Sequence, residues 1–330
     1  MHFIGKTEEV EMFAFPRIIT YFSLIVTVIF LLMTANAGAG IKKEVAKSFT
    51  VSPGGELILE SDIGSVEILT GAQNAVEIEA VLEADTRDED KADRIFQDFE
   101  LDFSQESNDV IITGDYAGSR KSWRFWEDDK RSLRVHFLIT VPSQYDVTIT
   151  TSGGSIAVDD LDGDVKARTS GGSLVFEEIK GEVQGETSGG SITLSGCVGT
   201  ADVHTSGGSI TIGRVEGDVI ARTSGGSIDV DEVLGAIDAE TSGGSVSARI
   251  SKQPTHDCRL VTSGGSVNVH LAEGIGLDVD AQTSGGRVYT QFPVTLRGDL
   301  SKSRLRAEIN DGGPELFLRT SGGNINLNSL

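Results

Sequence analysis

Hydrophobic and polar residues alternate along most of this chain, and the alternation returns at fixed distances from the tetrapeptide Thr-Ser-Gly-Gly. Five residues after each threonine the side chain is aliphatic, and seven residues after it is apolar in all copies but one, as in Ile210 and Ile212. A second alternating stretch leads into each threonine, as in Ala201 and Val203. Because such alternation is typical of half-buried strands, each repeat predicts two strands joined by turns.

The tetrapeptide occurs nine times and sets the period of the chain. The copies begin at Thr151, Thr169, Thr187, Thr205, Thr223, Thr241, Thr262, Thr283 and Thr320. The first six copies are 18 residues apart, and the following gaps are 21, 21 and 37 residues. No repeat has room for a crossover helix, so the pattern predicts an all-β, parallel β-solenoid (β-helix) of about 18-residue coils. Nine coils at about 4.8 Å each would make a rod of roughly 45 Å.

Glycine pairs mark one corner of each coil. We expect these corners to need positive φ angles, which a Cβ atom resists. An antiparallel meander of hairpins is the competing fold, but it does not require such uniform side chains at equivalent positions. Stacking makes a further prediction, because the residue before each threonine should face solvent beside its counterpart in the next coil. Arg168–Glu186 and Arg222–Glu240 should then be cross-strand ion pairs.

Residues 38–150 are less regular, and we interpret them as the N-terminal, β-rich part of the same solenoid. Alternation predicts strands at 56–60, 65–68, 74–82, 110–113, 133–141 and 145–150. The stretch 61–65 resembles a worn copy of the repeat. Apolar spacing at 88–99 predicts one short helix, a helical excursion that could cover an end of the stack. Residues 151–330 form the Thr-Ser-Gly-Gly repeat part.

The first 37 residues have the pattern of an export signal. Arg17 precedes the apolar run 18–33, and small residues that include Ala35 and Ala37 follow it. This order predicts a signal peptide over 1–37, cleaved after Ala37, and a protein exported to the periplasm or the cell surface. The alternative is an uncleaved membrane anchor, although spans usually need about 20 apolar residues. The acidic residues before Met12 favour Met12 as the true start.

The net charge of −22 decides which partners are plausible. An acidic surface repels nucleic acid and anionic lipid, so neither is expected to bind. After signal cleavage no transmembrane domain is expected. An unknown partner on the cell surface or in the envelope, a glycan or a protein, fits better.

Catalytic and metal-binding chemistry has little support in the sequence. The serines of the repeat recur in every coil, and no nucleophile elbow surrounds them. His204 lies two residues from Ser206, but other coils carry Arg or Glu at its position. The remaining histidines lack zinc-ligand spacing. We expect no enzyme, no cofactor and no metal.

One acidic cluster needs separate consideration. It consists of Asp159, Asp160, Asp162 and Asp164, around the first turn of the repeat region. Neither the calcium-loop pattern nor the calcium β-roll pattern is present. A solvated acidic turn is therefore the better interpretation, with calcium as the alternative.

The two cysteines occupy recurring apolar positions. Cys197 and Cys258 stand where other coils have Val, Ile or Leu, so we predict that both are buried. They lie three coils apart, about 14 Å along the stack. That separation is too long for a disulfide.

The loop 116–131 is the one basic, aromatic-rich segment. Its candidate binding residues are Trp123, Arg124, Phe125 and Trp126, because aromatic rings beside arginine are common at binding surfaces. Two alternatives are a lid that packs its aromatic side chains over an edge of the solenoid and a contact with a membrane interface.

An export signal, the segment Ser61-Asp62-x-Gly64-Ser65-Val66, the segment Val141-Pro142-x-x-Tyr145-Asp146-Val147 and the repeats occur together here. In this combination the chain resembles the bacterial putative-adhesin family, over roughly residues 50–330. The resemblance implies an exported β-strand-repeat protein, and it supplies no catalytic motif.

The sequence therefore predicts a non-enzymatic, exported structural or adhesin-like surface-binding protein of the cell envelope. A long face of repeated groups suits many weak contacts at once. The alternative is a polysaccharide-active β-helix enzyme, which would need a pair of carboxylates at non-repeat positions in a groove. Ice binding by the stacked threonines is disfavoured, because the alternation places them inward.

Overall fold

The computed structural model describes residues 40–71, 74–116, 132–297 and 301–330. In these residues the chain forms two large β-sheets, sheet A with 13 strands and sheet B with 14. Through the repeats, successive strands alternate between the sheets, so that one coil contributes one strand to each. The inward side chains of both sheets form a continuous hydrophobic core. The predicted all-β parallel solenoid is confirmed, and the antiparallel meander is wrong for the repeats.

The described residues of the N-terminal part form one helix and seven strands before the first repeat. They are β1 (Ile41–Thr50), β2 (Gly55–Ser61), β3 (Ser65–Gly71), β4 (Ala75–Ala84), α1 (Glu89–Gln97), β5 (Phe99–Glu106), β6 (Asp109–Tyr116) and β7 (Leu133–Pro142). Ser61 lies beside Thr151 and Val66 beside Ile156, which confirms that 61–65 is a worn repeat. Sheets A and B therefore continue from the repeats into this part.

Antiparallel strands and the helix occupy the N-terminal end of the stack. In sheet A, β4 pairs antiparallel with β7 and with the edge strand β1. In sheet B, the edge strand β5 pairs antiparallel with β6. The predicted short helix is confirmed as α1, whose Asp88 cap accepts from the Lys91 amide at 3.1 Å. Its buried residues Ala92, Ile95 and Phe96 join the core.

The first seven repeats stack in sequence order, with every strand parallel to its neighbours. Their strands are β8 (Tyr145–Thr151), β9 (Ile156–Val158), β10 (Val165–Thr169), β11 (Leu174–Ile179), β12 (Val183–Thr187), β13 (Ile192–Cys197), β14 (Ala201–Thr205), β15 (Ile210–Val215), β16 (Val219–Thr223), β17 (Ile228–Val233), β18 (Ile237–Thr241), β19 (Val246–Ile250), β20 (Cys258–Thr262) and β21 (Val267–Leu271). Even-numbered strands lie in sheet B and odd-numbered strands in sheet A.

The C-terminal end departs from sequence order. Its strands are β22 (Leu277–Thr283), β23 (Val288–Thr290), β24 (Val294–Leu296), β25 (Arg304–Ile309), β26 (Glu315–Thr320) and β27 (Ile325–Ser329). The ninth repeat lies between the seventh and the eighth, because β26 pairs with both β20 and β22, and β27 with both β21 and β23. An antiparallel pair, β25 and β24, then ends sheet B.

The nine repeat threonines are buried, as the alternation predicts, and each forms a hydrogen bond between its own coil and the neighbouring coil. Every Oγ1 donates to a glycine carbonyl of the neighbouring coil at 2.6–3.2 Å. For eight of the nine, the acceptor is the second glycine of another Thr-Ser-Gly-Gly copy. A buried hydroxyl with a partner avoids the cost of an unpaired polar group.

The reason predicted for the glycine pairs is wrong. Of these glycines, Gly154 alone has a φ in the left-handed region, at 113°. The second glycine of each pair is needed instead because the coils touch there. A Cβ on Gly172 would lie 2.1 Å from the Gly154 carbonyl oxygen, and one on Gly190 would lie 2.1 Å from that of Gly172. Close stacking of backbone on backbone thus excludes any side chain.

Both cysteines are buried, as predicted. Cys197 lies on β13 in sheet A and Cys258 on β20 in sheet B, and both thiols are free in the structure. Burial raises the pKa of each thiol to about 11.

Candidate functional site

The outer face of sheet B carries two columns of exposed, mostly polar and charged side chains. Strand alternation turns the residues one and three positions before each threonine outward. We call those of β8 to β18 the charged face; they are Thr148, Thr150, Lys166, Arg168, Gln184, Glu186, Asp202, His204, Ile220, Arg222, Asp238 and Glu240. Parallel pairing in register places equivalent residues side by side in two columns.

Two shallow grooves follow this face and share Glu186 and His204. The first, of about 300 Å³, crosses β8 to β14 and is lined mainly by polar side chains such as Lys166 and Gln184. The second, of about 330 Å³, follows the corner and adds the exposed repeat serines Ser188, Ser206, Ser224 and Ser242. Both are open along their length, which suits contact with an extended partner better than enclosure of a small molecule.

The predicted charge ladder is present, with one correction. Arg168 and Glu186 are register partners and form an ion pair, as predicted. Arg222 and Glu240 are also register partners, but Arg222 pairs with Asp238 at 2.5 Å. Glu240 is bound instead by Arg259 of the next coil at 2.7 Å. The prediction considered only contacts within one column of outward side chains, and it missed the diagonal ion pairs between the two columns.

The ion pairs shift the pKa values of their arginines. The hydrogen bond to Glu186, followed by the charge of that residue, raises the pKa of Arg168 above its ordinary value. Partial burial lowers the pKa of Arg259, but hydrogen bonds and charges from Glu240 and Asp238 outweigh it and raise the value overall. Exposed pairs of this kind contribute little stability, so they organise the surface more than they hold the fold.

His204 forms the one Asp–His pair of the grooves. Its Nε2 lies 2.6 Å from Asp202 Oδ1, and both side chains are partly exposed. Nucleophilic catalysis would also need a hydroxyl or thiol bonded to the imidazole. Among the described residues the structure records only the Asp202 bond for this ring. The pair therefore provides a hydrogen-bonding surface.

The carboxylates of the grooves are paired with basic groups. Glu186, Asp202 and Glu240 each contact an arginine or a histidine. Glycoside hydrolysis needs two carboxylates that face each other across the substrate. The described part of the grooves does not offer that arrangement.

The acidic cluster of the first turn takes part in the stacking of the corners. Asp164 Oδ1 accepts from the Glu182 amide at 2.8 Å, and Asp160 Oδ1 accepts from the Glu178 amide at 3.1 Å. Asp162 accepts from the Gln144 side chain. Within the described ranges, no group of three or more potential ligands is placed to hold a metal ion.

The predicted binding residues Trp123, Arg124, Phe125 and Trp126 lie outside the described residues. The strands before and after this segment are described: β6 ends at Tyr116 and runs parallel to β2, and β7 begins at Leu133 and runs parallel to β3.

Sequence reasoning missed the charged face as a surface. Its signal was visible in the two columns of polar residues before each threonine, but these were considered only as separate ion pairs. The grooves appear when the columns are placed side by side.

Stacked parallel coils with two open sheets define the chain as an all-β solenoid. A family model described as Toastrack DUF4097 matches residues 56–328, and the chain belongs to this family. That assignment agrees with the resemblance found in the sequence. No helix in the described ranges is long and apolar enough to cross a membrane.

Several solved structures are similar to this chain. A putative adhesin from Bacteroides fragilis NCTC 9343 is 11% identical, with 86% of this chain and 97% of that chain covered and a TM-score of 0.38. A putative cell adhesion protein from Clostridium sporogenes ATCC 15579 is 12% identical, with 87% and 100% covered and a TM-score of 0.24.

A third, described as a putative lipid binding protein from Parabacteroides distasonis ATCC 8503, is 14% identical, with 86% and 96% covered and a TM-score of 0.27. With TM-scores this low, none of these likenesses supports a particular function. No protein among those with curated descriptions matches the chain.

Proposed function

We propose that this chain is an exported, non-enzymatic binding protein of the cell envelope, and that the charged face is its contact surface. The observation that carries the proposal is the pair of shared, open grooves over β8 to β18. A rigid row of polar groups repeated in every coil favours many weak contacts with an extended partner, a glycan or a protein.

Export is part of the proposal and rests on the sequence. The apolar run 18–33 and the small residues after it favour a cleaved signal peptide and a location in the periplasm or on the cell surface. Outside the cytoplasm, a partner would meet the outer faces of the solenoid, because packed hydrophobic side chains fill the interior between the sheets.

The loop 116–131 is proposed as a second part of the contact surface. This part of the proposal rests on the sequence, which holds two tryptophans and five basic residues in that stretch. Trp123 and Trp126 could then stack on sugar rings or partner side chains. A glycan would satisfy both the aromatic rings and the polar grooves.

Binding to glycan arrays and to intact cell surfaces tests the proposal. The arms are the wild type, Trp123→Ala/Trp126→Ala, and Lys166→Ala/His204→Ala, two groove residues on the charged face. We expect saturable binding by the wild type and at least about tenfold weaker binding by the charged-face variant. No wild-type binding, or undiminished binding by that variant, would reject the charged face. Undiminished binding by the tryptophan variant would remove the loop.

A further inference from the structure

The two ends of the solenoid differ in charge, although the chain as a whole is strongly acidic. Residues 85–106, which include α1 and β5 at the N-terminal end, hold nine acidic and three basic side chains. Residues 287–306, at the C-terminal end, hold five basic side chains and one acidic side chain. With a net charge of −22, a basic end is a local exception that calls for a physical explanation.

Several of these end charges form no ion pair within the part of the chain that the structure describes. Glu100, Asp102 and Glu106 form the exposed outer row of the edge strand β5. At the other end Arg287 and Lys302 are exposed, and Arg304 is half-buried. In the described residues none of the six forms an ion pair. Arg297, by contrast, is neutralised by Glu308.

The core is also open at both ends of sheet B. On β5 the inward residues Leu101 and Phe103 are only half-buried, and among the described strands none follows on their free side. On β24 the inward residue Leu296 lies beside the buried Ala307, yet 48% of its surface is exposed. Val294, its inward neighbour, is half-buried. Each end therefore presents an inward apolar row. At the N-terminal end the acidic row lies on β5 itself, whereas at the C-terminal end Arg304 lies on β25, Arg287 directly precedes β23 and Lys302 precedes β25.

We propose that a second copy of this chain docks end to end, with β24 of one molecule against β5 of the next. β24 runs in the direction of the coil strands and β5 against it, so the two would pair antiparallel. The apolar rows would then complete each other's cores, and the basic end would face the acidic one. This assembly is independent of what the charged face binds.

The contact is placed in sheet B because the edges of sheet A do not complement each other. The edge strand β1 contains Lys42, Lys43 and Lys47, whereas β23 at the other end has no acidic residue. Because the surfaces joined in sheet B are different, the interface is head-to-tail and does not close on itself. It would produce rows of molecules.

Sedimentation velocity of the full chain, purified as cells process it, tests the proposal. The tail variant is Arg287→Glu/Lys302→Glu, and the head variant is Glu100→Lys/Asp102→Lys. Lys180→Glu, on the side of the solenoid, is the matched charge control. We expect the wild type and the control to form species larger than dimers as concentration rises at about 50 mM salt, and to dissociate at about 500 mM. Each end variant should associate at least about tenfold more weakly.

Mixing the two end variants gives the decisive result. The tail variant has acidic side chains at both ends and the head variant has basic side chains at both ends, so neither should assemble alone. In an equal mixture both junctions again join opposite charges, so the mixture should form species larger than dimers. Thermal unfolding at the wild-type temperature would show that both variants fold. A wild type that stays monomeric, folded variants that still assemble, or a mixture that stays monomeric would each overturn the proposal. Loss of assembly in the tail variant alone would indicate a symmetric tail-to-tail dimer and would also overturn it.

Discussion

The second glycine and the threonine of each repeat act on the same atom. The carbonyl oxygen of Gly172 accepts a hydrogen bond from Thr187 Oγ1 at 2.7 Å, and a Cβ on Gly190 would lie 2.1 Å from the same oxygen. The threonine needs a partner because it is buried, and the glycine is needed because that partner lies so close. Both residues follow from the stacking distance of the coils.

The serine after each glycine pair extends this order along the corner. Each seryl Oγ from Ser155 to Ser245 accepts from the backbone amide of the equivalent residue in the next coil, at 3.1–3.3 Å. At the insertion point Ser266 bonds the Asn324 amide, and Asn324 Oδ1 in turn bonds the Arg287 amide. The residue that follows each glycine pair thus bonds to its counterpart in the coil that is adjacent in space, even where that coil is not the next one in the sequence.

Adjacent glycines give a matched test of the steric argument. Gly172→Ala should reduce the free energy of unfolding by about 3 kcal/mol, because its Cβ would lie 2.1 Å from a carbonyl oxygen. Gly171→Ala should change it by less than about 0.5 kcal/mol, since its nearest atom would be 3.8 Å away. Urea unfolding measures both. Equal losses would show that backbone conformation, and not contact between coils, selects these glycines.

Asp280 makes the stability of the C-terminal end depend on pH. Burial raises the pKa of this carboxyl, but hydrogen bonds and charges from Arg319 and Arg306 outweigh burial and hold it below the ordinary value of 3.8. The stabilisation is therefore present above about pH 4 and is lost as the pH falls through the lowered pKa. The free-energy difference between the wild type and Asp280→Asn should shrink between about pH 6 and about pH 2. A difference independent of pH would contradict this.

At the scale of elements, the alternation of residues such as Ile210 and Ile212 was enough to predict the repeat strands. The position of the ninth repeat was not predictable. Thr262, Thr283 and Thr320 begin equivalent corners, so the seventh coil offers the same edge to either of the last two. The choice depends on the β24–β25 pair and the connections around it, which carry no repeat pattern.

The strand β1 was missed for a different reason. Its inward positions include Lys43 and Lys47, which lie opposite Leu82 and Ile78 of β4 and break the alternation. Lysine on an edge strand discourages pairing with another chain, so the same residues that hide the strand from prediction protect that edge. The polar columns of the charged face were visible in the sequence, but their grooves depend on which strands are neighbours.

Cysteine pairs test the order of the last three coils. Val261→Cys/Arg319→Cys joins register partners on β20 and β26, about 4.8 Å apart, and should form a disulfide on mild oxidation. Val261→Cys/Gln282→Cys would span two strands, about 10 Å, and should not. Native Cys197 and Cys258 are buried with pKa values of about 11, which keeps them out of exchange. The reverse outcome would mean that the coils stack in sequence order.

At the scale of the whole molecule, the residues that hold the stack together are different from those that are exposed to a partner. The core and the corners use the same residue types in every coil and provide a rigid frame. The outer faces are free to vary, and they differ. Sheet A presents small polar groups such as Thr193 and Thr211 together with the ion pairs Arg214–Glu232 and Arg249–Asp231, whereas sheet B carries both grooves described above. We propose that partner binding takes place on the outer face of sheet B only.

Comparison of the two faces in one binding assay tests that claim most directly. The charged-face variant is Lys166→Ala/His204→Ala, and the matched variant on sheet A is Thr193→Ala/Thr211→Ala. Affinity for cell surfaces or for the array glycan is measured for both, after urea unfolding has shown that each is folded. The account predicts at least about tenfold weaker binding for the charged-face variant and no change for the sheet A variant. Equal losses, or a loss for the sheet A variant alone, would contradict it.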